Sequence, residues 1–189
     1  MLTRVMVHAP SSTANLGPGF DVFGLALDAF YDKVILSKTN KSITTNRPWH
    51  GVRILTTDNV PKDPQQNTAG LVVKAMKQKF KIKSGIEIKI KKDVPAGFGM
   101  GSSAASAAAA ALAFNKLFNL KLDNKTLIKY AGIGEKASAG TIHYDNVAAS
   151  LLGGFVVVKT KPFDVIRLEP PKDLVLCVAI PKIRVPKKK

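Results

Sequence analysis

The sequence predicts a globular fold that mixes β-strands with α-helices, and three local patterns carry this prediction. Between positions 86 and 90, isoleucines alternate with charged residues, as in a strand with one buried face and one wet face. From Thr68 to Phe80, apolar residues recur at helical spacing, with lysines on the other side. The alanine run from Ala104 to Phe114, continuing to Phe118, predicts a helix that packs closely against its neighbours.

The remaining elements are predicted from turn residues, helix caps and runs of β-branched residues. A turn at Gly17–Gly19 interrupts the N-terminal region. Asp123 is suited to cap a helix that reaches about Lys136, and a short helix from His143 to Leu152 is ended by two glycines. Strands are predicted at Arg4–Ala9, Lys33–Ser37, Phe155–Lys159, Val165–Leu168 and Leu174–Ile180.

The size and hydropathy of the chain are typical of a folded protein. A chain of 189 residues can form one sizeable core, or one domain and the beginning of a second. Its longest run of small apolar residues, Ala104–Phe114, is too short to span a bilayer, and the N-terminus lacks an apolar targeting core. We therefore expect a cytoplasmic protein with no membrane partner.

Cysteine content and charge narrow the function classes further. Cys177 stands alone, which excludes an internal disulfide and a cysteine zinc cluster. The net charge of +16 indicates attraction either to phosphate-bearing ligands or to nucleic acid. Many lysines lie in Lys74–Lys92 and in the tail Lys182–Lys189, where a solvated surface is the simpler interpretation. Aromatic residues make up only 7% of the chain and do not alternate with basic ones, so we do not expect a nucleic-acid partner.

The most informative stretch is a glycine-rich loop, PAGFGMGSSAAS, from Pro95 to Ser106. Its three glycines let the backbone turn sharply and approach an anion closely. The helix that follows points its free N–H groups and the positive end of its dipole toward the same place. Ser102 and Ser103 add hydroxyls that can hydrogen-bond phosphate oxygens or ligate magnesium. The pattern therefore favours a phosphate cradle.

Three other interpretations compete for this loop. A Walker loop requires a lysine directly after its last glycine, where this chain has Ser102. Gly99, Gly101 and Ala104 would match a dinucleotide-binding turn. The strand before such a turn should be buried on both faces, whereas the strand before this loop has one face exposed to water. A plain turn before an alanine-rich helix with a serine cap stays open.

The string GxGSSAAS, placed after a strand and opening a helix, resembles the ATP-binding motif of the GHMP kinases, the family of galactose, homoserine, mevalonate and phosphomevalonate kinases. Two further segments, Ala9–Leu27 (APSSTANLGPGFDVFGLAL) and Gly134–Phe155 (GEKASAGTIHYDNVAASLLGGF), are similar to the branch of the family that phosphorylates homoserine. All three segments occur in the family's order, and together they make a specific match.

This resemblance implies an α+β fold, with an N-terminal domain of the ribosomal-S5-like type over residues 1–160 and the start of a C-terminal α+β domain over residues 161–189. It implies transfer of the γ-phosphoryl group of ATP, with Mg2+, to the side-chain hydroxyl of L-homoserine, a step of threonine biosynthesis. The family's third glycine-rich motif and the arginines that hold the homoserine carboxylate are expected beyond residue 189.

The resemblance also implies roles for individual residues. Ser103 and Glu135 would hold magnesium, Asn146 would orient the acceptor hydroxyl, and Asp145 would help by charge or as a base. Homoserine would be bound by Asn15, Asp21 and His143, with the Asp21 carboxylate near its ammonium group. The nucleotide would contact Asn67, in the segment Val60–Gly70 beside the adenine, and the cradle residues Pro95, Ala96, Gly97, Phe98, Gly99, Met100, Gly101, Ser102, Ser103, Ala104 and Ala105.

Read without the resemblance, the same residues have simpler explanations. Asn15 and Asp21 flank glycine and proline and are typical turn formers. Asp145 can cap a helix, and Asn67 ends a proline-containing loop that enters one. The competing functions are another GHMP kinase, a nucleotide-binding fragment without activity, and an RNA-binding module. The sequence leaves monomer and homodimer open.

Overall fold

The computed structural model describes residues 2–39, 51–139 and 142–179. Six strands and four helices follow one another along this part of the chain. They are β1 (Arg4–Ala14), β2 (Phe23–Thr39), β3 (Val52–Leu55), α1 (Thr68–Lys79), β4 (Gly85–Lys91), α2 (Ser102–Phe118), α3 (Asn124–Ala139), α4 (Tyr144–Leu152), β5 (Phe155–Thr160) and β6 (Phe163–Leu168).

The strands form one mixed sheet around the long strand β2. Its C-terminal part, residues 33–37, lies between β1 and β4, and residues 24–25 lie between β1 and β5. The pairing is antiparallel except between β3 and β4, which run parallel. The register of β1 against β2 shifts between Pro10 and Ser11, as expected for a bulge that bends a long strand.

One face of the sheet packs against the helices and forms the core. In β4, Ile86 and Ile88 are fully buried while Lys89 and Lys91 point outward, which confirms the alternation read from the sequence. Most alanines of α2 are fully buried, because small side chains let this helix lie close to the sheet and to its neighbouring helices. No helix in the described ranges is long and apolar enough to cross a membrane.

The structure departs from the sequence predictions in several places. The strands predicted at Arg4–Ala9 and Lys33–Ser37 are parts of the longer strands β1 and β2. The short parallel strand β3 was not predicted. The strand predicted at Leu174–Ile180 is wrong for residues 174–179, which form no strand, and Ile180 lies outside the described residues, as does the tail Lys182–Lys189. The side chains of Leu174, Val175 and Leu176 are exposed, and the described part of the chain offers them no strand to pair with.

The predicted domain boundary after residue 160 stays a prediction. The strand β6, which lies beyond it, pairs with β5 as a hairpin in the same sheet. Ile166 and Leu168 on this outer strand are exposed.

Candidate active site

A cavity of about 800 Å³ opens beside the glycine-rich loop that joins β4 to α2. Its wall combines four parts of the chain that are distant in sequence: the segment before α1, the loop itself, the C-terminal half of α3 and the first turn of α4. The residues that line it include Asn67, Thr68, Lys92, Pro95, Ala96, Gly97, Gly99, Met100, Gly101, Ser102, Ser103, Glu135 and Asn146.

The glycine-rich loop has the backbone that an anion cradle requires. Gly97, Gly99 and Gly101 have φ angles of 86°, 73° and 64°, a region that favours glycine. The helix α2 begins directly after Gly101, without a side-chain cap and without an acidic residue in its first turn. Its first N–H groups therefore stay available to a negatively charged ligand in the cavity.

The hydroxyls of Ser102 and Ser103, the first two residues of α2, bind different partners. The Ser102 hydroxyl donates to the carbonyl of Val94, 3.0 Å away, and so braces the loop. The Ser103 hydroxyl donates to Oε2 of Glu135 on α3, 3.1 Å away, and both residues line the cavity. The structure thus brings together the two residues predicted as magnesium ligands, which are 32 positions apart in sequence.

This pair fits the donor set of a magnesium site. Mg2+ prefers oxygen ligands and is usually held by one or two protein groups together with phosphates and water. Glu135 is 95% buried, and this burial raises the pKa of its carboxyl, while the hydrogen bond from Ser103 acts in the opposite direction. A carboxylate that is costly to charge in isolation gains from a cation beside it.

A largely buried ion pair between β2 and the residue after β4 supports the cradle, and this pairing could not be predicted from the sequence. Lys92 forms an ion pair with the fully buried Asp32 of β2. Its ammonium also donates to the Ser102 carbonyl at 2.7 Å and to the Ser106 hydroxyl at 3.0 Å. Burial lowers the pKa of Lys92, and the Asp32 charge opposes this effect. The network ties the first turn of α2 to the sheet.

The helix α4 places Asn146 and Asp145 on different sides of the site. Asn146 lines the cavity, and its side-chain oxygen accepts a hydrogen bond from the Ser12 hydroxyl at 3.0 Å. Asp145 is almost fully buried and accepts from the backbone N–H of Asn146 at 2.7 Å. Burial raises the pKa of the Asp145 carboxyl, and that hydrogen bond partly offsets the rise. Gly24 allows this packing, because a Cβ there would lie 2.4 Å from the Asp145 carbonyl oxygen.

The N-terminal turn approaches α4 beside the cavity. Asn15 and Asp21 both have positive φ angles, and the Asn15 side-chain oxygen accepts from the Asp21 N–H at 2.8 Å. The Asp21 carboxylate lies 3.2 Å from Nδ1 of His143, the residue that precedes α4. Asp21 therefore contacts both of the other predicted substrate-binding residues, although none of the three lines the cavity wall itself.

Asn67 lines the cavity but also has a structural task. It is the N-cap of α1, and its side-chain oxygen accepts from the Gly70 N–H at 3.1 Å. Its NH2 group donates to the Pro61 carbonyl at 2.9 Å. The cap explains the residue type by itself, so its contact with a nucleotide stays a prediction.

Some predicted cradle residues do not reach the cavity, and some residues that support it were missed. Phe98, Ala104 and Ala105 do not line it, and both alanines are fully buried in the core. The importance of Lys92 was signalled in the sequence, because it breaks the alternation in which Lys89 and Lys91 point outward. Asp32 and Ser12 themselves left no comparable signal, because each meets a partner that is distant in sequence.

Comparisons with known proteins agree on the family. The family model described as the GHMP kinases N terminal domain matches residues 67–154. The chain is 46% identical to a homoserine kinase of Thermoplasma volcanium over 88% of this chain and 50% of that protein. It is 44% identical to a homoserine kinase of Methanococcus maripaludis over 97% of this chain and 59% of that protein. The chain thus spans about half the length of these curated relatives.

Solved structures show the same fold. The crystal structure of homoserine kinase from Cytophaga hutchinsonii matches with a TM-score of 0.80 and 39% identity, over 90% of this chain and 53% of that one. The mevalonate kinase of Methanococcus jannaschii matches with a TM-score of 0.68 at 16% identity, over 89% of this chain and 56% of that one, which shows the fold alone. These neighbours confirm the predicted α+β architecture.

Proposed function

Since residues 67–154 match the model of the GHMP kinases N terminal domain, we propose that the chain forms the nucleotide-binding part of a kinase that transfers the γ-phosphoryl group of ATP to the side-chain hydroxyl of L-homoserine. The products would be O-phospho-L-homoserine and ADP, in threonine biosynthesis. The observation that carries the proposal is the convergence of the glycine cradle, the Ser103–Glu135 pair and Asn146 on one cavity. Identities of 46% and 44% to homoserine kinases support this acceptor.

The cavity offers the groups that phosphoryl transfer needs. Such enzymes act mainly by positioning the reactants and neutralising charge, since the transition state spreads negative charge over the transferred group. The free N–H groups at the start of α2 would bind the phosphates of ATP, and the segment before α1, including Asn67, would lie beside the adenine.

Ser103 and Glu135 would hold Mg2+ at the edge of the cradle. When bound, the ion would neutralise phosphate charge and help to align the γ-phosphoryl group. The hydrogen bond between the two side chains supports this assignment, and both residues line the cavity.

The acceptor would bind between the N-terminal turn and α4. Asp21 would pair with the homoserine ammonium group. Asn15 would shape the turn, and His143 would lie beside the Asp21 carboxylate. Asn146 would orient the hydroxyl whose oxygen bonds to the γ-phosphorus as the bond to ADP breaks. The hydroxyl proton would pass to the transferred phosphoryl group or to Asp145, the neighbour of Asn146 on α4.

The test is ADP release by the full chain with Mg2+ and ATP, measured with and without L-homoserine. We expect homoserine-dependent release, and mevalonate in place of homoserine serves as the control acceptor. Ser103→Ala should weaken Mg-ATP binding, whereas Ser37→Ala, on the outer face of the sheet, should leave it unchanged. An Asp145→Asn variant with near-normal turnover would exclude an essential base at that position.

Other outcomes separate the alternatives. Binding of Mg-ATP without any release would indicate a nucleotide-binding fragment, consistent with a chain that covers about half of its relatives. Release stimulated by mevalonate alone would indicate another GHMP kinase. Absence of nucleotide binding would refute the proposal. A cytoplasmic location and a domain boundary after residue 160 belong to the same proposal.

A further inference from the structure

We propose that Ser12 is a positioning residue that fixes the side-chain amide of Asn146, so that its NH2 group, and not its carbonyl oxygen, faces the cavity. This inference deepens the proposed function and rests on it for its catalytic meaning. The orientation itself is a property of the free protein and can be tested without turnover.

Three hydrogen-bonding groups set the orientation. Ser12 is fully buried on β1, and its hydroxyl donates to the Asn146 side-chain oxygen at 3.0 Å. The buried Ser150 hydroxyl on α4 donates to the Ser12 oxygen at 3.2 Å. A hydroxyl has a single proton. Because Ser150 donates to the Ser12 oxygen, Ser12 can donate its own proton to the Asn146 side-chain oxygen. The amide oxygen is thereby held inward, and the NH2 group is left to the cavity side.

The same serine joins this amide to the phosphate cradle. The Ser12 backbone N–H donates to the Met100 carbonyl at 3.1 Å. A Cβ at Gly101 would lie 2.1 Å from the Ser12 hydroxyl oxygen and 3.1 Å from the Asn146 side-chain oxygen. The cradle, Ser12 and Asn146 are therefore packed as one unit, and the amide cannot shift without moving the loop.

The orientation decides what Asn146 can do chemically. An NH2 group donates hydrogen bonds and cannot take up a proton. Facing the cavity, it can hold the oxygen of an acceptor hydroxyl or a phosphoryl oxygen, and it leaves the hydroxyl proton free to depart elsewhere. Donors that are fixed in advance where negative charge develops are among the largest contributions to catalysis.

The reversed orientation makes opposite predictions. If the Asn146 NH2 group donated to Ser12, the Ser12 proton would turn to the Asn146 backbone carbonyl, 3.4 Å away. The side-chain oxygen would then face the cavity as an acceptor, and the NH2 protons would be sequestered in the core.

The first arm of the experiment is NMR of the 15N-labelled full chain, with the Asn146 side-chain signals assigned by their loss in Asn146→Asp. We expect NH2 protons that exchange rapidly with water and show no contact with the Ser12 β-protons. Slow exchange together with contact to Ser12 would overturn the proposal. This arm is decisive even if the chain shows no turnover, in which case the proposed function fails separately.

The second arm compares Ser12→Ala with Ser11→Ala. Ser11 is a matched control because its equally buried hydroxyl donates to the Leu27 carbonyl at 3.3 Å and does not contact Asn146. We expect Ser12→Ala alone to shift the Asn146 amide signals. If the wild type is active, it should lower kcat by about 10- to 100-fold with little change in the KM for ATP. Equal behaviour of the two variants in either readout would refute a positioning role.

Discussion

Replacing Gly101 with alanine should destabilise the protein more than the same change at Gly99, and the structure explains the difference. Both glycines have positive φ angles, 64° and 73°, so each variant incurs the cost of about 1–2 kcal/mol for an L-residue in this region. Nothing lies within 4 Å of a Cβ at Gly99. At Gly101, the added methyl would meet the Ser12 hydroxyl oxygen at 2.1 Å.

The clash sets the size of the expected difference. Ser12 is fully buried between β2 and the loop and cannot swing into solvent. Overpacking of this kind costs about 1–3 kcal/mol, so Gly101→Ala should be less stable than Gly99→Ala by that amount. The free energies of unfolding are compared by urea denaturation, with circular dichroism as the readout and equal m-values as the check on the comparison.

A double-mutant cycle identifies the clashing atom. Without the hydroxyl, the nearest Ser12 atom to the new methyl would be its Cβ, 3.3 Å away. Ser12→Ala should therefore recover part of the loss caused by Gly101→Ala, with a coupling of about 0.5–3 kcal/mol. Equal stabilities of Gly99→Ala and Gly101→Ala, or strict additivity in the cycle, would refute the reasoning.

Three further changes test the core and the charges around the site. Asp32→Asn should cost about 3–5 kcal/mol in unfolding free energy, because it removes the counter-charge of Lys92, whose side chain is only 16% exposed. A neutral effect in urea titrations would contradict this. Phe114→Ala should cost about 3–5 kcal/mol, since this ring is fully buried against Phe118, and a loss below about 1 kcal/mol by the same measurement would show that the site collapses freely. Asp145→Asn should stabilise the protein at neutral pH, because burial raises the pKa of this carboxyl and disfavours its charged form in the folded state. The gain in unfolding free energy should shrink as the pH falls toward 3.8, the ordinary pKa of an aspartate, since the carboxyl is then neutral in both states. A pH-independent difference would argue against this reasoning.

Elements with a local signal can be predicted from the sequence alone. Helix α1 and strand β4 follow from periodicity, because the side chains that face the core recur at the spacing of the element. Helix α2 follows from its run of alanines, which favours a helix at each position. The cradle can also be predicted locally, because its glycines and the start of α2 are adjacent in sequence. One short stretch therefore contains all the groups that would bind the anion. The residues of the Ser103–Glu135 pair came from the family resemblance, not from spacing.

The contacts between side chains that are distant in sequence become visible only in the folded structure. The Ser12 hydroxyl reaches Asn146 across 134 positions, and Lys92 reaches Asp32 across 60, and neither contact has a local pattern that could announce it. The short strand β3 forms because it pairs in parallel with β4. Residues 174–179 include the β-branched Val175 and Val178, but they pair with no strand among the described residues. A strand needs a partner for its backbone hydrogen bonds, and composition alone does not supply one.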